Sequence, residues 1–437
     1  MRVVLATWWP LAASWFLMGI ELPAVSAIMA RLIDPEISLA AYGGVVFPLA
    51  LIIESPIIML LAASTALCQD WQSYRFGRRF MFWSAGILTL LHVLLAFTPL
   101  YEIVVVQILG APADIVRPAQ IGLQIMTPWT GAIAYRRFHQ GILIRFGHSG
   151  IIGKGTLVRL SSAVTVLALG FAAGDVPGII VGTSAVATGV VAEAIYVGIR
   201  VQPILTGPLR QAPRTGPPLT LGPFASFYVP LALTALISLL ALPIGSAGMG
   251  RMPQAIESLA TWPVVNGLVF VFRGTGIAFN EVVVAHASRP GAARVLWRFA
   301  LCLATTSSLC LLVITATPLA NLWLGGVSAL APDLIELGRR ALWLTVPMPA
   351  HAFIQSFFQG ILVHSRSTRG IPESVGVFLG VTALVLIWGI TRQEWPGLYV
   401  GLSGVFAGGY AQLGWLWWRS RSARANLLVP RLHPESR

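Results

Sequence analysis

The chain has 437 residues, 56% of them hydrophobic and only 10% charged, with a mean hydropathy of +0.78. A soluble globular domain carries about a quarter charged residues, so this composition excludes one and indicates a polytopic integral membrane protein. The formal net charge of +13 is then topological, because basic residues between apolar spans orient them, and nucleic acid drops out as a partner.

Stretches of about 20 or more mostly apolar residues predict an all-α bundle of twelve helices. They cover 6–32, 38–66, 79–99, 114–138, 152–174, 178–200, 223–248, 255–283, 292–317, 332–363, 372–391 and 396–418. The first contains "TWWPLAASWFLMGIELPAVSAIM", too long for a signal-peptide core, so it reads as a retained helix. It holds Glu21, and the second holds Glu54 in "LIIESPIIML", the one charge between Ser38 and Leu67. An ionised group at the bilayer midplane costs roughly 2.5–3.5 kcal/mol. Each glutamate stands two residues before a proline, and Pro23 and Pro56 lack the amide that would bond the carbonyls of Gly19 and Ile52. A carboxylate about a turn from a freed carbonyl is a place for a proton or small cation. Proline kinks of purely structural origin are the competing reading, and two such glutamates favour ion coupling.

Further along, His92 reads as an interhelical hydrogen-bonding residue, and Arg136 and Gln140 lie in the fourth span. "GIIGKGT" around Lys154 fails as a phosphate loop, with His148 where a glycine is required and Gly155 after the lysine. "GFAAG" at Gly170 to Gly174 fits small-residue helix packing. Glu193 and Glu281 approach the cytoplasmic helix ends. "VQPILTGPLRQAPRTGPPLTLG", 201–222, has five prolines and no helical pattern, and reads as a cytoplasmic linker between lobes at 1–200 and 223–437. Beyond it, Asn266 and Arg273 fall inside the eighth span. His351, Gln355 and Gln359 form an i, i+4, i+8 polar stripe on the tenth, lining a cavity or bonding a neighbouring helix. Cys68, Cys302 and Cys310 have no metal-ligand spacing, and an odd count argues against a disulfide framework.

The chain repeats itself. A shift of 220 aligns residues 10–40 with 230–260 at 12 identities in 31 positions, including "LP", "SA" and "SLA". A shift of 219 overlays Pro128, Phe138 and "QGIL" at Gln140 on Pro347, Phe357 and "QGIL" at Gln359. Six helices per half is an even number, so the halves share one orientation, as in parallel-repeat transporters with sites at the midplane. At a shift of 220 Glu54 falls on Gly274, beside Arg273. That arginine suits an anionic substrate, or a pairing with Glu54 in one state, or a static ion pair; Gly274 and Gly276 allow a helix or ligand to approach. Of the 29 basic residues, 22 fall on one side of this topology, which puts both termini in the cytoplasm.

"AAYGGVVFPLALIIESPIIMLLAASTAL", "WWPLA", "PWTGAIAYRRFHQGILIRFG" and, in the second half, "FYVPLALTALISLLALPIGSAGMG" followed by "WPVVNG" resemble the ANK (progressive ankylosis) family. That family lies in the superfamily of multidrug (MATE), oligosaccharidyl-lipid and polysaccharide exporters. The resemblance covers nearly the whole chain, as a pattern of small, proline and apolar residues. It implies two six-helix lobes, alternating access and ion-driven export of a small anion.

The resulting expectation is an ion-coupled secondary exporter of a small, possibly anionic, metabolite or drug, and not an enzyme. Glu21 and Glu54 would couple the ion; Arg273, Asn266, His351, Gln355, Gln359, Arg136 and Gln140 would contact the solute. It would need no cofactor beyond a proton or sodium gradient, and would work as a monomer in the lipid of the plasma (inner) membrane. The alternatives are a lipid-linked saccharide flippase, a polytopic membrane enzyme and a non-transporting scaffold.

Overall fold

The computed structural model describes residues 2–214, 218–287, 291–365, 367 and 369–428. Arg289, Arg366, Arg431 and Arg437 of the orientation argument, and 215–217 of the linker, lie outside these. In lipid every backbone N–H and C=O must be satisfied within the chain, which leaves helices as the economical solution for long apolar segments. The long helices are α1 (Arg2–Met29), α2 (Pro35–Leu67), α3 (Trp71–Phe97), α4 (Ala113–Ile125 continued by Thr127–Arg145), α5 (Gly150–Ala173) and α6 (Gly178–Thr206). After them come α7 (Leu221–Met249), α8 (Ala255–His286), α9 (Ala292–Ala316), α10 (Pro332–Thr345 continued by Met348–His364), α11 (Gly370–Arg392) and α12 (Gly397–Arg419).

Among the described residues, nine of these are long and apolar enough to cross a membrane; α4, α10 and α12 are not in that set. The first two are diluted by their arginines, glutamines and acids, and α12 by glycine and tryptophan. Residues 201–206, expected in the linker, continue α6 through Pro203. Short helical connectors that the hydropathy pattern does not announce precede α4 and α10.

Packing divides the chain into two compact units, Ala24–Trp262 and Met1–Pro23 with Pro263–Arg437. The partition cuts inside α1 and α8, beside Pro23 and Pro263, so packing and sequence repeat divide the chain at different places. Within the second of these units, the start of α1 lies along α8: Trp8 Nε1 donates to Thr275 O at 2.9 Å, and a Cβ on Gly274 would stand 3.5 Å from Trp15. Trp8, Phe279, Phe299 and Phe353 fill its core.

The repeat is written into the backbone. Left-handed φ angles recur at Asp34 and Gln254, 220 apart, then at Gly110 and Ala329 and at Gly174 and Gln393, 219 apart. Wide π-helical turns at Ile103–Ile108 and Leu322–Val327 share the 219 spacing. A further π turn, Tyr42–Val46, interrupts α2, whereas the matching part of α8 is regular α-helix. An i→i+5 turn holds one residue more than an α turn, which accounts for the change of shift from 220 to 219. Beyond this bulge the counterpart of Glu54 is therefore Arg273 itself, one residue from the Gly274 expected at constant shift.

The two "QGIL" glycines do one job. A Cβ on Gly141 would collide with Ser64 Oγ and Leu61 O of α2, and one on Gly360 would stand 2.6 Å from Val283 Cβ and 3.1 Å from Asn280 O of α8. Each lets two helices meet backbone to backbone. Gly170 of "GFAAG" likewise admits Val181, and Gly276 admits Ala352 at 2.9 Å.

Candidate functional site

The site grows from α4. Its helix restarts at Thr127 with Pro128 in the first turn, where a missing amide costs nothing. Arg136 and Gln140, one turn apart, then face α6, and Glu193 answers from there. Arg136 Nη1 donates to Glu193 Oε2 at 2.5 Å and Gln140 Nε2 donates to Oε1 at 3.0 Å. Arg159 of α5 brings its Nε to 3.8 Å from Oε2. Gly155 makes room, since a Cβ there would stand 3.4 Å from the Glu193 carboxylate. Arg136, Gln140, Arg159 and Glu193 are all buried.

Glu54 completes the set from α2. It is 4% exposed, its Oε2 accepts no hydrogen bond among the described residues, and the guanidiniums of Arg136, Arg137 and Arg159 lie within electrostatic reach. Arg137 is half-buried with an Nε that finds no acceptor among the described residues. Three guanidiniums therefore face two carboxylates, one fully engaged and one not. The carbonyl that Pro56 frees already has a donor, since Ser55 Oγ donates to Ile52 O at 2.8 Å, and Tyr228 OH donates to Pro56 O at 2.6 Å. What remains at Glu54 is the carboxylate and its cationic surroundings.

The other expected residues fall in the other unit. Glu21 is half-buried on α1, so the two glutamates belong to different packing units. Arg273 is half-buried on α8, its Nε without an acceptor among the described residues. It lies within electrostatic reach of His351, whose Nε2 bonds Gly409 O of α12 at 2.9 Å. Asn266, Gln355 and Gln359 are half-buried. Of the stripe, then, its first member ties α10 to α12. His92 spans Thr130 Oγ1 at 3.0 Å and Leu123 O at 2.9 Å, an interhelical bond as expected. Lys154 is exposed inside a regular helix, Glu281 is exposed, and no cluster of metal-ligating residues occurs among the described residues.

The structure thus gathers Glu54, Arg136 and Gln140 with Glu193. Arg137 and Arg159 also belong to the set, and in the sequence they read only as orienting cations. The tandem "RR" one turn before a buried glutamine was the available signal.

No family model and no curated protein matches this sequence. Solved structures do. An inward-facing multidrug resistance MATE family transporter of the MOP superfamily superposes with a TM-score of 0.65 at 16% identity, over 93% of this chain and 95% of that one. An outward-facing structure of such a transporter gives 0.59 at 16%, over 97% and 95%. The lipid II flippase MurJ, inward closed, gives 0.62 at 11%, over 94% and 89%. At such identities the likeness establishes the fold: a MATE-like membrane bundle.

Proposed function

We propose that the chain is a secondary-active exporter that works by alternating access, drawing on a proton or sodium gradient and carrying a small anionic metabolite. One observation carries the reading: Glu54, a buried carboxylate with an unbonded oxygen, set among three guanidiniums of which only Arg136 and Arg159 share Glu193. Ion binding at such a group changes which charges are balanced, and a coupling ion drives a conformational change only when it binds the two states with different affinity. MATE transporters of this fold are known in inward- and outward-facing forms, which supports two states here. In this reading Glu54 in one unit and Glu21 in the other are the ion-coupling carboxylates, Arg136 and Gln140 hold Glu193 in place near Glu54, and Arg273, Asn266, Gln355 and Gln359 meet the solute. The anion is favoured by the cationic excess around Glu54, by the unpaired Nε of Arg273 and by the ANK-like sequence pattern. The protein would act as a monomer in the plasma membrane with both termini cytoplasmic.

The test is export from cells that carry wild type or Glu54→Gln at matched membrane levels, read as metabolites in the medium. An anionic metabolite should accumulate with the wild type, and at least tenfold less with Glu54→Gln, which can no longer bind the coupling ion. Equal export from both would remove Glu54 from the mechanism. The likeness to MurJ favours a lipid-linked saccharide flippase as the second reading. Transbilayer movement of such a lipid in proteoliposomes, without metabolite export, would replace the first reading by the second.

A further inference from the structure

The turn between α11 and α12 marks one edge of the membrane. α11 ends at Arg392, α12 starts at Gly397, and the intervening 393–396 includes Trp395, 53% exposed. Just inside this edge lies a groove of about 470 Å³ lined by Arg340, Leu344, Val385, Trp388, Trp395, Tyr399, Val400 and Ser403. All of these belong to the unit that contains Pro263–Arg437. Its volume is in the range of pockets that hold small amphiphiles. The outer side of α11 is apolar and open, with Leu384 and Ile387 exposed next to Trp388, so the groove faces the hydrocarbon.

Its polarity is graded. Toward the turn stand Trp395 and Tyr399, the residue types that settle at the headgroup level. Arg340 enters the membrane on α10 and reaches back one turn toward the edge, where its Nε donates to Glu336 Oε1 at 2.7 Å, as long cationic side chains do at interfaces. Arg339 Nε takes the other oxygen of Glu336 at 3.2 Å. Tyr399 lies within electrostatic reach of Arg340 and Glu336. Two guanidiniums share one carboxylate, both through Nε, which leaves one positive charge and the Nη donors of Arg340 for another acceptor. Away from the turn the lining is mostly hydrocarbon, from Leu344 on α10, Val385 on α11 and Val400 on α12, with the single hydroxyl of Ser403 a turn further along α12.

We infer that this groove is a binding site for a phospholipid with a net anionic headgroup, its phosphate on Arg340 at the α11–α12 edge and an acyl chain along Leu344, Val385 and Val400. The charge excess selects the phosphate of an anionic lipid over a zwitterionic one, whose own cation would meet two arginines. The apolar floor selects a lipid over free phosphate. The tryptophans close the headgroup end.

The test uses the full chain in detergent, with native mass spectrometry and thermal unfolding read in parallel. Phosphatidylglycerol, phosphatidylcholine and inorganic phosphate are added separately to wild type, Arg340→Gln, Ser403→Phe and Arg392→Gln. Wild type should retain phosphatidylglycerol about tenfold better than phosphatidylcholine, the size of one charge-assisted contact. Arg340→Gln should lose that preference, and Ser403→Phe, which fills the groove without touching its charge, should lose the bound lipid. Arg392→Gln, a cation on the same edge outside the groove, should behave as wild type. Equal retention of the two lipids by wild type, or an unchanged preference in both Arg340→Gln and Ser403→Phe, overturns the assignment. Stabilisation by inorganic phosphate alone that Arg340→Gln abolishes would make this an anion site with no lipid role.

Discussion

Two places in the molecule descend from one repeat and have been filled with opposite chemistry. Around Glu54 the first half places Arg136, Arg137, Gln140, Arg159 and Glu193. At the matching positions, 219 residues on, stand Arg273, Gln355, Ser356, Gln359, Phe378 and Gln412. Four charged groups and an amide around a carboxylate have become three amides, a hydroxyl and a ring around a guanidinium; Gln140 alone is retained, as Gln359. Glu193 holds Arg136 and Gln140 at 2.5 and 3.0 Å, whereas Gln412 makes one longer bond to Ser374 Oγ at 3.3 Å. The helix geometry is common to both, so it does not demand the charges. Buried ion networks add little net stability and cost much when one partner is lost. Among the described residues such a network stands at this address in the first half and not at its counterpart, and the proposed exporter would put it to use.

The strongest way to break this comparison is Glu193→Ala. It strips the acceptor from Arg136, Arg159 and Gln140, and should lower stability by about 3–5 kcal/mol, read as thermal unfolding in detergent. Gln412→Ala should cost about 1 kcal/mol, and equal losses at the two positions would mean that the charged set is no more demanding than its neutral counterpart. Next come the paired glycines. Gly141→Ala should cost about 1–3 kcal/mol of overpacking, and more than Gly360→Ala, because its Cβ meets a backbone carbonyl where the other meets mainly the Val283 side chain. A smaller effect is expected from His351→Ala, which frees Gly409 O at about 1–2 kcal/mol. Stability should fall while solute export at equal membrane level persists, and loss of export alone would return His351 to the solute path.

The mildest probe concerns Cys68, whose counterpart is the buried Ala287. Cys68 lies between α2 and α3, and burial raises its thiol from 9.0 to about 12, against the pull of Arg145. The neutral form is favoured, so at pH 8 on the order of one thiol in 10,000 or fewer is ionised and able to attack. Maleimide labelling of Cys68 in the folded protein should climb about tenfold per pH unit past 9, with no plateau there; a plateau near 9 would place the thiol in water.

Much of this was legible in the residues. Hydropathy gives the helices, and the "QGIL" match gives the equivalence of α4 and α10, because close helix approach tolerates only glycine at Gly141 and Gly360. Glu54 stands out because it is the lone charge in its span. Arg137 and Arg159 do not: an arginine near a helix end and one well inside the bundle look alike in a linear count, and only the fold shows α5 laid against Glu193. The bond from Ser55 to Ile52 O was equally hidden, since a hydroxyl next to a proline does not announce which carbonyl it will close upon. His351 read as one of a stripe, and its use as a tie to Gly409 depends on a helix far along the chain.

The π turn at Tyr42–Val46 has a consequence for ancestry. One residue added to an unbroken helix rotates everything beyond it by about 100°, and after such an event Glu54 would look out from a different side of α2 than Arg273 does from α8. Absorbed in a single wide turn, the extra residue leaves the later azimuths alone. The two halves could therefore drift apart in length at that point and still exchange acid for base at one inherited address.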